Sequence, residues 1–258
     1  MEYLRIEGCK RLGGEIALHG AKNSVLPILC ASVLIKGESV IHNCPKLSDV
    51  DVTVSILEHL GAKVRREGST LIVDSKDINR YDVPKNLMQE LRSSIIFLGA
   101  LSTRAGRSCV YLPGGCDIGL RPIDMHISGM RSLGYSIELD ENNICSDASK
   151  ARAGRCVLPF PSVGATENLI LSSVMLRGKT TIVNAAREPE IADLCAFLNT
   201  AGARISGAST PIIEIEGVER LASCEYTVMP DRILATTLMA VSAITASELK
   251  LNRARPSD

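Results

Sequence analysis

The chain repeats itself at intervals of about 70 residues, and that periodicity limits what it can fold into more than any single motif does. One element is an apolar helix rich in small residues, followed by a turn and a strand. It begins at Leu26 (LPILCASVLIKGESVIHNC) and at Ile95 (IIFLGALSTRAGRSCVYL), and returns at Leu169 (LILSSVMLRGKTTIVNA) and at Leu234 (LATTLMAVSAITASELKLNR). A second element follows the first three copies: SILEHLGAKVRR, SGMRSLGYSIEL and AFLNTAGARISG. Each reads as an amphipathic helix, a closing glycine and a strand. Gly61, Gly134 and Gly202 stand where a left-handed C-cap residue is expected. Each unit therefore reads β-α-β-α-β-β. The first helix of a unit carries few charges, so burial on all sides is expected, whereas the second has one polar face. Three such units can enclose their apolar helices behind sheets. The plainer alternative is an open α/β sheet whose segments resemble one another by chance.

The fourth copy begins at Leu234 and reaches Asp258 without its amphipathic helix and closing strands. A unit that cannot bury its own apolar face makes a poor terminus, so the expectation is a C-terminally truncated chain whose natural form continues. Hydrophobic residues make up 45% of the chain, with aromatics at 3% and no Trp, so the core must be built from Leu, Ile, Val and Ala. Lys and Arg together number 29, as do Asp and Glu. That balance argues against a nucleic-acid partner, which requires a basic excess. The start, MEYLRIEGCKRLGG, has no apolar stretch of the kind a secretory signal needs, and no run of some eighteen apolar residues could span a membrane. Nine cysteines without a CxxC pair read as reduced thiols of a cytoplasmic protein, not as a disulfide framework or a zinc site.

The strongest local signal is PGGCDIGLRPIDMH, Pro113 to His126. Pro113, Gly114 and Gly115 break a strand and open a loop that carries Cys116. A thiol there, near Arg121, could act as proton donor or nucleophile, or could be a surface cysteine of no consequence. Lys22 and Asn23 open the first apolar helix, where backbone N–H groups and an ammonium converge on an anion site; a solvated lysine is the competing reading. Arg92 holds the matching place in the second unit and Ser162–Asn168 in the third, so the three helix starts form a plausible shared ligand face. Lys46–Asp49 and Arg187–Glu190 repeat the loop position of Cys116 and read first as caps and solvated charges. His126 could be a base, although a histidine early in an amphipathic helix is more often structural.

Taken together, PGGCDIGLRPIDMH, GAKNSVLP, LRSSI, PSVGATEN, NAAREPEI and MPDRI resemble, in order and spacing, the UDP-N-acetylglucosamine 1-carboxyvinyltransferase family of enolpyruvyl transferases. The resemblance runs from about Leu4 to the last residue. It implies an inside-out α/β barrel of three β-α-β-α-β-β repeats about a pseudo-threefold axis, with residues 22–229 forming one complete domain. Residues 1–21 and 230–258 would be fragments of a second like domain. It implies transfer of the enolpyruvyl group of phosphoenolpyruvate to the 3′-hydroxyl of UDP-N-acetylglucosamine, an early step of peptidoglycan synthesis, with no metal or organic cofactor. Cys116 matches the loop cysteine that adds to or protonates the enol carbon and that the epoxide fosfomycin attacks. Lys22, Asn23 and Arg121 match the phosphoenolpyruvate contacts. Arg92, Arg121, Pro122, Ile123, Asp124, Met125, Ser162, Val163 and Gly164 match the nucleotide-sugar contacts. The family's general-base aspartate and closing arginines fall beyond Asp258, so turnover by this chain alone is not expected. Phe160-Pro161 departs from the Lys-Val of some members, which puts one uridine-side contact in doubt. Two other readings stay open: the related shikimate-pathway transferase, which needs no loop thiol, and an inactive sugar-nucleotide-binding module.

Overall fold

The computed structural model describes residues 3–5, 8, 11–113 and 123–258. After strand β1 (Gly13–Ala17), the first repeat supplies α1 (Lys22–Ala31), β2 (Glu38–His42), α2 (Ser48–His59), β3 (Lys63–Glu67) and β4 (Thr70–Asp74). The second supplies β5 (Asp82–Val83), α3 (Lys85–Glu90), a 3-10 turn at Arg92–Ile96, α4 (Phe97–Ala105), β6 (Arg107–Tyr111), α5 (Asp124–Ser132), β7 (Ser136–Leu139) and β8 (Asn143–Asp147). The third supplies β9 (Arg155–Val157), α6 (Val163–Ser173), β10 (Lys179–Val183), α7 (Pro189–Thr200), β11 (Arg204–Ser206) and β12 (Ile212–Glu216). The described chain ends with β13 (Cys224–Thr227), α8 (Arg232–Ile244) and β14 (Glu248–Asn252).

Three four-stranded sheets result, ordered β13-β2-β4-β3, β5-β6-β8-β7 and β9-β10-β12-β11. In each, a central antiparallel pair is extended by an antiparallel hairpin partner on one side and a parallel strand on the other. The second and third repeats supply that parallel strand themselves, as β5 and β9. The first does not. Its natural candidate, β1, pairs instead with β14 in a separate two-stranded sheet, and β13, arriving after the third repeat, runs parallel to β2. The expectation that each unit brings its own leading strand is corrected here: the first sheet is closed by the end of the third unit.

The apolar helices are the core. Ser24–Ala31 of α1, Phe97–Ser102 of α4 and Ala165–Ser173 of α6 are buried without an exposed stripe. The sheets cover them through alternating strands, and the inward positions repeat: Ser39 and Ile41, Ser108 and Val110, Thr180 and Ile182 are all buried. A small hydroxyl followed by a branched aliphatic leaves room for a close helix while keeping the pleat filled. Gly61, Gly134 and Gly202 have φ of 103°, 85° and 103°, the left-handed geometry expected of them. By contrast, α8 has no buried residue, and Ile233, Met239 and Ile244 on it are exposed.

The reading of all cysteines as independent thiols is corrected at one pair. Register places Cys109 of β6 opposite Cys145 of β8, and their sulfurs are joined as a disulfide. Sequence separation hid this pairing, because only the β6–β8 alignment brings the two residues face to face. Among the described residues no helix is long and apolar enough to cross a membrane.

Candidate functional site

Two groups of side chains gather at the amino-terminal ends of the core helices. The first is built on α1. Lys22 is its first residue, and its ammonium lies 3.0 Å from Asp49 Oδ2 in the first turn of α2. The Lys22 backbone N–H donates to Asp231 Oδ2 at 3.3 Å, while Asp231 Oδ1 accepts from Ile233 and Leu234 N–H at 2.9 Å each. One carboxylate therefore caps both α1 and α8, satisfying amide donors that a helix start leaves open. The neighbouring strands are stitched together by Ala21 N–H to Met229 O and Asp231 N–H to His19 O. Asn23 follows Lys22 and is exposed.

Beneath this group, Asp193 of α7 is buried and accepts three donors. Ser24 Oγ approaches at 2.5 Å, Tyr226 Oη at 2.7 Å and Met229 N–H at 3.2 Å. Burial and the facing Asp193 carboxylate push the Tyr226 phenol well above its ordinary value, so it remains a donor. Glu190, one turn earlier on α7, is almost fully buried and holds Arg232 through two parallel bonds of 3.0 Å, Oε1 to Nε and Oε2 to Nη2. Glu167 of α6 lies near Glu190 and Glu188. Burial first, then those two carboxylates, raises it to about 8, so it is protonated at neutral pH.

The second group joins α5, α6 and the turn that opens with Arg92. Ser162 caps α6, its Oγ accepting from Ala165 N–H at 3.4 Å. Ile123 precedes α5, and Asp124 and Met125 form its first turn. His126 is 7% exposed and packs against the start of α6: a Cβ on Gly164 would lie 3.3 Å from the imidazole Cε1 and 3.4 Å from Nε2. Asn168 Nδ2 donates to His126 Nδ1 at 3.1 Å, and Asn168 Oδ1 accepts from Gly99 N–H at 2.8 Å. Burial and the Arg92 guanidinium lower His126 to about 4, against a smaller opposing effect of Asp124.

Of the residues picked from sequence, the structure brings Arg92, Asp124 and Gly164 around His126, and sets Lys22 in a separate group with Asp49 and Asp231. Cys116, Arg121 and Pro122 lie outside the described residues, as does the glycine loop that carries Cys116. Glu190 and Asp49, read first as caps and solvated charges, instead make specific ion pairs, and Glu190 is buried. Asp193, Asp231, Glu167 and Asn168 were not singled out individually. The signal available for them was the recurrence of polar residues at otherwise apolar helix starts, in GATEN, REPEIAD and MPDRI.

The family model described as EPSP synthase (3-phosphoshikimate 1-carboxyvinyltransferase) matches residues 6–258. The chain is 50% identical over 254 residues to UDP-N-acetylglucosamine 1-carboxyvinyltransferase 2 of Caldanaerobacter subterraneus subsp. tengcongensis, covering 98% of this chain and 61% of the relative. It is 45% identical over 258 residues to the UDP-N-acetylglucosamine 1-carboxyvinyltransferase of Photorhabdus laumondii, covering 100% of this chain and 61% of that protein. The chain thus spans about three-fifths of the length of these relatives. Among solved structures, the enolpyruvyl transferase NikO from Streptomyces tendae superimposes with a TM-score of 0.79 at 23% identity, over 90% of this chain and 55% of that one. An EPSP synthase from Acinetobacter baumannii gives 0.70 at 16%, over 93% and 55%. At these identities the two structures support the α/β fold.

Proposed function

We propose, from the premise that this chain belongs to the EPSP synthase family of carboxyvinyltransferases, that it is part of an enzyme acting on phosphoenolpyruvate and UDP-N-acetylglucosamine. The sugar 3′-oxygen adds to C2 of phosphoenolpyruvate while C3 takes a proton. Loss of a C3 proton and expulsion of phosphate then leave the enolpyruvyl ether. Cys116 is the acid that protonates C3, or the thiol that adds to the enol carbon. Lys22, Asn23 and Arg121 hold phosphoenolpyruvate. Arg92, Arg121 to Met125 and Ser162 to Gly164 hold the nucleotide sugar. Residues 22–229 make one inside-out barrel with a pseudo-threefold axis, and 1–21 and 230–258 belong to a second domain of the same kind. The enzyme works in the cytoplasm.

One observation carries this reading. Ile123–Met125 and Ser162–Gly164, distant in sequence, flank His126 beside Arg92, at a helix start where backbone N–H groups and a cation suit an anionic diphosphate. The names of the relatives at 45–50% identity supply the chemical class. Calorimetric titration of the chain with UDP-N-acetylglucosamine and, separately, with shikimate 3-phosphate tests it. Binding of the nucleotide sugar alone is expected. Binding of shikimate 3-phosphate alone would move the chain to the shikimate-pathway reading.

A further inference from the structure

Among the described residues, Cys109 and Cys145 alone are joined as a disulfide, while the five other cysteines there are free. Their meeting is set by the backbone. Leu112 N–H donates to Asn142 O at 2.7 Å and Ala148 N–H to Gly106 O at 2.8 Å, which fixes the phase of the β6–β8 ladder. Hydrogen-bonded and non-hydrogen-bonded pairs alternate between those two ends, so Cys109–Cys145 falls at a non-hydrogen-bonded position. Opposed side chains stand closest at such positions. The register therefore holds the two sulfurs together whether or not they are bonded.

The pair lies on the outer face of the second sheet. Ser108, Val110, Ile144 and Ser146 on either side are buried, and the two cysteines between them are half-buried. A small thiol in solution can therefore reach the sulfurs. Opening the bond leaves the sheet joined, because register pairs from Arg107–Asp147 to Tyr111–Asn143 hold β6 to β8, and β5 and β7 extend the sheet on both sides. Reduced thiols stay in place for reclosure. Read across the four strands, the row is Asp82, Cys109, Cys145, Glu138, and both carboxylates are exposed. Asp82 also meets His59 at 3.3 Å. Along the strands, Arg107 stands opposite Asp147, and Lys85 lies over the Tyr111 ring, 5.4 Å from its centroid. The charges closest by register are the two carboxylates, each one strand spacing of about 4.8 Å from a cysteine-bearing strand.

We infer that Cys109–Cys145 is a reversible thiol–disulfide exchange site that takes low-molecular-weight thiols and disulfides, favouring cationic over anionic ones. A small thiolate attacks one sulfur. The S–S bond breaks, its electron pair passes to the other cysteine, and that sulfur takes a proton from solvent. A second small thiolate attacks the mixed disulfide, forming the small disulfide and releasing the first cysteine, which is protonated in turn. Two small thiols and the protein disulfide thus become two cysteine thiols and one small disulfide, with two electrons passing to the protein. Closure is the same sequence in reverse, with the small disulfide as oxidant. Asp82 and Glu138 repel an anionic reagent and attract a cationic one. The site stands apart from the ligand face proposed above and does not depend on it.

The test treats the folded chain, at about pH 8 where small thiols are partly ionised, with cysteamine, 2-mercaptoethanol or reduced glutathione. These carry positive, zero and negative net charge. Released thiols are trapped with iodoacetamide at intervals and located by peptide mapping. Each rate is divided by that of the urea-unfolded chain, which removes the reagent's own reactivity. Cys109 and Cys145 should open together with all three reagents while the circular dichroism stays unchanged, and cystamine should close them again. The normalised cysteamine rate should exceed the glutathione rate about threefold at low ionic strength, and the two should converge in about 0.5 M salt. Asp82→Asn combined with Glu138→Gln should remove the difference. A bond that opens only when urea unfolds the chain would overturn the inference, since it would then be a structural cross-link. So would thiols that cystamine leaves open, loss of the native dichroism on opening, or glutathione matching cysteamine at low ionic strength. Measurements on the native chain decide the matter even if the double variant fails to fold.

Discussion

The backbone N–H of Gly99 in α4 donates to the side-chain oxygen of Asn168 in α6 at 2.8 Å, and a Cβ on Gly99 would overlap both that oxygen and the Asn168 carbonyl. The contact ties the second repeat to the third inside the core, where no side chain is small enough to replace hydrogen. Gly99→Ala should therefore destabilise the chain by about 2 kcal/mol through overpacking, although alanine is the better helix former. Thermal melts of the two proteins would measure it. An unchanged or raised Tm would mean that the two helices can separate at little cost.

Asp193 should be among the most sensitive polar positions. Removing its carboxylate strands Ser24 Oγ, Tyr226 Oη and Met229 N–H together, donors drawn from α1, β13 and the segment leading to α8. Asp193→Ala should cost about 3 kcal/mol or more. Tyr226→Phe, which removes one donor and leaves the carboxylate with two, should cost about 1 kcal/mol. Denaturant titration of both variants gives the comparison, and equal losses would contradict the three-donor arrangement.

Stability should fall as pH rises from 6.5 to 8, for a reason that can be assigned to one residue. Glu167 stands at about 8 in the fold against an ordinary 4.5, so the folded chain keeps a proton that the unfolded chain releases. That contribution is complete below pH 4.5 and is lost as pH rises through 8. His126 has the opposite sign: at about 4 against an ordinary 6.5, its contribution is complete above pH 6.5 and is lost as pH falls toward 4. The two slopes oppose each other below pH 6.5, and above it only Glu167 acts, by about 2 kcal/mol up to pH 8. Glu167→Gln should flatten the upper window, as read by urea unfolding at the two pH values. A slope that survives the substitution would place the titrating group elsewhere.

Cys116 should be the thiol that a small anionic epoxide alkylates first. Among the described residues its free-thiol competitors are suppressed: burial pushes the Cys44 and Cys195 thiols up to about 12 and Cys30 well above its ordinary value, while Cys156 and Cys224 are raised less. Thiolate, not thiol, is the nucleophile. Intact-mass measurement after fosfomycin treatment, followed by peptide mapping, should find one adduct at Cys116, removed by Cys116→Ser. Preferential labelling of any other cysteine would dislodge Cys116 from the proposed site.

The sequence alone determined whatever depends on neighbours along the chain. Apolar helices at a regular interval have only one way to avoid water, so burial of α1, α4 and α6 was readable from composition and period. The glycines at 61, 134 and 202 were readable because a helix ending in the left-handed region selects glycine locally. The helix starts that carry Lys22, Arg92 and Ser162 could be found for the same reason, since equivalent residues recur at equivalent places. Tertiary structure decided what depends on partners far apart. Nothing in β1 says that it will leave the first sheet to β13, because both strands can pair in parallel and only closure of the third repeat onto the first chooses between them. The Cys109–Cys145 pair, the Asp193 junction and the Gly99–Asn168–His126 relay join residues 33 to 169 positions apart. Each side chain in them is unremarkable alone, and hydrogen bonding and charge acquire direction only when burial fixes which atoms face each other.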